Sequence, residues 1–198
     1  FQGQIDIPLN ENGKDQARKT FEYLRNISFN KAFSSSMHRP YETAQIIIQN
    51  NKDLKIKKID SLIEISHGLW EGKLEAEIRK EWPKLLKNWH EKPEEVTMPE
   101  GESIKDVSER SIEAFSKICS YQKDNDLTLL VAHDAVNKTL ICNLLGINYS
   151  NIWMIKQGNG GITVIDLFND PSKTPVISAL NITTHLGGVI DSTASGAL

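Results

Sequence analysis

Two apolar runs in this chain end in the same way, and that shared ending constrains the fold more than any other feature. KAFSSS (31–36) and LTLLVA (127–132) are short β-type runs, and each leads through a loop into a helical pattern. The first loop carries Arg39 and the second His133, so each strand end is marked by a cationic or cationisable side chain. The helix after Arg39 has Ala44, Ile47 and Ile48 on one face; the helix after His133 has Val136, Leu140, Leu144 and Leu145 and is closed by Gly146. Strand, loop and helix in repetition imply an α/β layered sheet, whose ligands bind beyond the carboxyl ends of the strands. The free N–H groups and positive dipole end of a helix start favour an anion. Two such starts on one sheet edge describe a candidate phosphate pocket, although taken singly Arg39 also reads as a surface residue and His133 as a satisfied loop histidine.

The rest of the chain fits around that frame. Turn chemistry runs to Asn12-Gly13 and gives way to a helix through Ala17, Phe21, Leu24 and Ile27. Residues 54–65 predict a strand leading into a loop, and residues 75–118 hold helical segments broken by Pro83, Pro93 and Pro99. Ser103 and Asp106 form a plausible capping box for a helix over 104–120. After Gly158, Gly160 and Gly161, the runs ITVIDLF and PVISALNIT predict a hairpin joined by Asn169-Asp170-Pro171.

Composition narrows the function. With 198 residues, 39% hydrophobic and 25% charged, the chain reads as one folded domain over 1–186 and a tail over 187–198. A net charge of -3 supplies no overall basic field for nucleic acid or an anionic membrane. The apolar runs are far short of a bilayer span, so a cytoplasmic protein is expected. Cys119 and Cys142 lie in apolar helical stretches and read as core residues, and no metal-ligand spacing joins them to the five histidines.

The ordered segments QGQIDIPLNENGKDQA, SSSMHRPYETA, LIEISHGLWEG, the helix with Trp89, PEGES followed by Asp106 and Arg110, and LLVAHDAVNKTLICNLLG together resemble the histidine phosphatase (phosphoglycerate mutase-like) superfamily. The HDAVNK and KQGNGG variants resemble a cyanobacterial-type branch, and the compact HGLWEG after Glu64 resembles the phosphatase side of the family. The resemblance covers about residues 1–168 and implies a three-layer α/β/α sandwich with a mostly parallel sheet. It also implies hydrolysis of a small phosphomonoester through a phosphohistidine, with no cofactor and no metal.

Carried over residue by residue, Arg39 falls on the family's second pocket arginine, His133 on its second histidine and Glu64 on its proton donor. Gln2 and Gly3 fall on the loop that lines the substrate entrance, and His67 and Asp134 join them as substrate-binding candidates. Asp134 stands where most members have Gly, placing a negative charge beside the phosphate. The Arg-His-Gly motif that ends the family's first strand is absent, so the resemblance implies a chain truncated at its N-terminus, its first strand and nucleophile missing, and inactive by itself. A cofactor-dependent phosphoglycerate mutase and a non-catalytic phospho-ligand or partner-binding domain remain the other readings. A second copy of the chain, or a neighbouring domain of a longer one, is the expected macromolecular partner.

Overall fold

A computed structural model describes residues 1–170 and 172–188. Pro171 of the expected hairpin turn and residues 189–198 of the expected tail lie outside the described residues.

Three strands form a parallel sheet in the order β2-β1-β3: β1 (Lys31–Ser35) is central, with β2 (Ile56–Ile59) on one side and β3 (Thr128–Val131) on the other. Successive residues of β1 face opposite layers, as a strand of period two requires. Ala32 packs with Ile47 and Ile48 of the helix α2 (His38–Ile47) and its exit, and with Leu24 of α1 (Glu11–Leu24). Phe33 packs on the other side with Phe115 and Ile118 of α5 (Ile104–Ser120) and Val136 and Leu140 of α6 (Asp134–Leu145). The result is helix layers on both faces of a parallel sheet.

Local chemistry sets the helix ends. Ser103 Oγ accepts from Asp106 N and Asp106 Oδ2 accepts from Ser103 N, the capping box the sequence predicts. Gly146 closes α6 at φ +63°, a left-handed position that a side chain disfavours. Two short helices, α3 (Glu75–Glu81) and α4 (Pro83–Glu91), carry Ile78, Leu86 and Trp89 into the main core.

The sheet is interrupted. β4 (Ile162–Asp166) and β5 (Val176–Ile182) form an antiparallel pair of their own, as the hairpin pattern predicts, and do not pair with β3. Among the described residues β3 is therefore paired on one side only, and all four of its residues stay half-buried although Leu129, Leu130 and Val131 are apolar. His185 ties the end of the domain to α1 and the turn before β4: Nε2 lies 3.1 Å from both Thr20 Oγ1 and the Gly160 carbonyl.

Candidate active site

The floor of the site is where β1 and β3 end. Ser34 pairs with Val131 across the parallel ladder, so the two strands finish on the same sheet edge and α2 and α6 both start there. His133 caps the start of α6 in extended conformation and is 8% exposed. Its Nε2 lies 2.9 Å from Ser35 Oγ at the end of β1. Burial, with the charges of Arg39 and Arg110 next, pushes the His133 imidazole down to about 3, so the ring is neutral near pH 7. Arg39, in the first turn of α2, is anchored by donating from Nη1 to the Ile5 carbonyl at 3.3 Å. Its neighbour His38 is exposed and is occupied by Asp6, which accepts from His38 N and lies 2.7 Å from His38 Nδ1.

Glu64 forms the facing wall. It is buried, Oε1 accepts from Ile65 N at 2.8 Å, and its carboxylate also meets the N–H of Ala135 in the first turn of α6. Burial raises its pKa to about 7, opposed by the Ile65 N–H and reinforced by Asp134. A carboxyl poised there holds a proton at neutral pH and can give it away.

The loop bearing Glu64 is clamped by two residues to which the sequence alone assigned no role in the site, Arg110 and Glu102. Arg110 on α5 donates from Nη1 to the carbonyls of Ser61 and Ile63 and from Nη2 to that of Glu64, at 2.7–3.0 Å. Glu102 holds the same guanidinium through two bonds of 2.8 and 2.9 Å, and accepts from Ser66 N at 2.8 Å. Their eight-residue separation across the start of a helix was visible in the sequence; the three carbonyls were not.

The N-terminal segment leans on this wall. Gln2 is exposed, whereas Gly3 is buried at φ +52° against the Glu71 carboxylate, with no room for a Cβ. Glu71 Oε1 accepts from Gln4 N at 2.9 Å and His67 N at 3.0 Å, and Gln4 Nε2 donates to the Glu64 carbonyl at 3.0 Å. Glu71 is thus the latch between the N-terminal segment and the loop bearing Glu64. His67 is neither a surface residue nor an open entrance residue: it is 1% exposed, edge-on to Phe1 and Trp89, and burial lowers its pKa to about 4.

Asp134 occupies the first turn of α6, as its place after His133 requires. It is not a bare charge, however: Lys138 Nζ lies 2.9 Å from Oδ2 one helical turn on, and both carboxylate oxygens are buried without a well-aligned hydrogen bond. Burial raises its pKa and Lys138 opposes the rise. Among the described residues no cluster of three or more His, Cys, Asp or Glu could hold a metal ion, and no helix is long and apolar enough to cross a membrane.

The sequence profile of the histidine phosphatase superfamily, branch 1, matches residues 1–182. Phosphoserine phosphatase 1 of Hydrogenobacter thermophilus is 33% identical over 187 residues, which span 94% of this chain and 86% of that protein. Among solved structures, Bacillus stearothermophilus YhfR superposes with a TM-score of 0.87 at 26% identity, over 94% of this chain and 90% of that one. A mycobacterial glucosyl-3-phosphoglycerate phosphatase in complex with inorganic phosphate superposes with a TM-score of 0.83 at 25% identity, over 93% of this chain and 92% of its own.

Proposed function

We infer that this chain, which belongs to the histidine phosphatase superfamily (branch 1), hydrolyses small phosphomonoesters through a phosphohistidine intermediate. The observation that carries the reading is a carboxyl group held near pKa 7 against the first turn of the helix that His133 starts. In the first half-reaction a histidine nitrogen bonds to phosphorus and the ester P–O bond breaks. The leaving alkoxide takes the Glu64 proton, while Arg39 and His133 bind the equatorial oxygens. In the second, water attacks the phosphohistidine, Glu64 takes the proton of that water, and inorganic phosphate leaves.

The attacking histidine is proposed to precede Phe1, on a strand that fills the place beside β3. Two features support this: the sequence holds no Arg-His-Gly tripeptide, and β3 has an unpaired edge while β4 and β5 stand as a separate pair. A two-stranded ribbon is marginal alone, so a strand between it and β3 would join both into one sheet. In this reading, residues 1–182 without that strand bind phosphate and do not turn over.

Hydrolysis rather than mutase transfer is favoured by the stretch KNWHEKPEEVTMPEGES over 87–103, which holds no arginine to retain a doubly anionic intermediate. The substrate class follows the relatives, one named for phosphoserine and another for glucosyl-3-phosphoglycerate: a small metabolite phosphorylated on an alcohol. Phosphorus NMR on the chain with its upstream residues tests this. Release of inorganic phosphate from O-phosphoserine or 3-phosphoglycerate is expected. Interconversion of 2- and 3-phosphoglycerate without free phosphate would make it a mutase, and binding without either reaction would make it a phospho-ligand module.

A further inference from the structure

Ser35 is fully buried at the end of β1, and its hydroxyl faces His133 across the pocket floor. A serine hydroxyl has one proton to give and two lone pairs to receive with. One lone pair accepts from Met37 N at 3.3 Å; the neighbouring Ser34 hydroxyl donates to the Ser35 carbonyl, and no hydrogen bond joins the two hydroxyls among the described residues. Among the described residues the remaining partner of Ser35 Oγ is His133 Nε2 at 2.9 Å. If His133 donated to Ser35, the hydroxyl proton would be left without an acceptor in a residue that is 0% exposed. The ring would then also turn an unprotonated Nδ1, a lone pair, towards the anion. If Ser35 donates, its proton is used, the ring proton sits on Nδ1, and that N–H is the ring's donor for a ligand.

We propose that Ser35 is a positioning residue that fixes His133 as the Nδ1–H tautomer, so that His133 meets a substrate phosphoryl oxygen as a hydrogen-bond donor. The burial that keeps the imidazole uncharged near pH 7 makes the tautomer matter, because a neutral ring donates from one nitrogen only. The positive charge at the floor then comes from Arg39, while His133 contributes an oriented dipole that need not change protonation during transfer. This rests on the reading of His133 as a phosphate ligand.

Nitrogen-15 NMR of histidine-labelled chain at pH 7, with and without inorganic phosphate, tests it without requiring turnover. The expected spectrum has His133 protonated at Nδ1 and unprotonated at Nε2. Ser35→Ala should shift the ring towards the Nε2–H form and weaken phosphate binding about tenfold, the scale of one hydrogen bond. Ser35→Thr, which keeps the hydroxyl, should restore both. A proton on Nε2 in the unaltered chain overturns the proposal even if the variants fail to fold. So does a Ser35→Ala variant with the original tautomer and phosphate affinity. If phosphate leaves the His133 signals unmoved in the unaltered chain, the ligand reading fails while the tautomer result still stands.

Discussion

The wall that carries Glu64 is tied down on all sides, whereas the floor that carries His133 ends at an unpaired strand. Arg110, Glu102, Gln4 and Glu71 hold the 61–71 loop through main-chain bonds, and Leu62, Ile65 and Trp70 seal it at 0% exposure. Among the described residues, Arg39 on the floor makes one hydrogen bond, to the Ile5 carbonyl, and β3 has one edge without a partner strand. A proton donor must be held dry at a fixed distance from the leaving oxygen, and a rigid loop does that. A phosphate floor needs only strand ends, helix starts and a cation.

The largest effect should come from the acid. In a chain that carries the proposed upstream nucleophile, Glu64→Gln should slow esters with poor leaving groups by about 10²–10⁴ and spare activated aryl esters, since only the former need the proton. Equal losses on 4-nitrophenyl phosphate and an alkyl phosphate would make Glu64 structural.

Next, Arg110→Met should destabilise the chain by about 3 kcal/mol, because it strands Glu102 and three carbonyls in a mostly buried site. Arg39→Met should cost less than about 1 kcal/mol. Denaturant unfolding of both variants measures the contrast between wall and floor, and equal losses would erase it.

The pH dependence of stability should also differ between the two sides. Glu64 has its folded pKa raised from 4.5 to about 7, so its contribution is fully present below 4.5 and is lost as pH rises through about 7. That is about 3 kcal/mol in all. His133 has its folded pKa lowered from 6.5 to about 3, so its contribution is present above 6.5 and is lost as pH falls towards 3. Glu64→Gln should lessen the decline on the alkaline side, to which Asp134 also contributes, and leave the acid side; His133→Asn should lessen the acid-side decline, part of which belongs to the buried His67, and leave the alkaline side.

The smallest effect belongs to Asp134→Asn. It should tighten phosphate binding by no more than about threefold, because the Lys138 charge it leaves unpaired sits a helical turn beyond the start of α6. A large gain in phosphate affinity would instead restore the view of Asp134 as an open negative charge at the pocket.

The same contrast explains what the sequence revealed. The floor was legible because it is local: each cationic residue follows its own strand and opens its own helix, as Arg39 and His133 do. Glu64 was reached through the family resemblance, and its burial was not visible. The clamps were hidden because they join distant segments: Ser35 and His133 are 98 positions apart, Gln4 and Glu64 are 60 apart, and Arg110 reaches main-chain carbonyls that no side-chain pattern announces. His67 lies beside the acid loop in sequence, but its burial depends on Phe1 and Trp89, both remote from it.

The central claim is that Arg39 and His133 hold one phosphate-sized anion where β1 and β3 end. A crystal structure of the chain with inorganic phosphate tests it directly. The account predicts the anion between the Arg39 guanidinium and His133 Nδ1, with the Glu64 carboxyl on its leaving-group side. Phosphate bound elsewhere, or Arg39 and His133 pointing to opposite faces of the sheet, would contradict it.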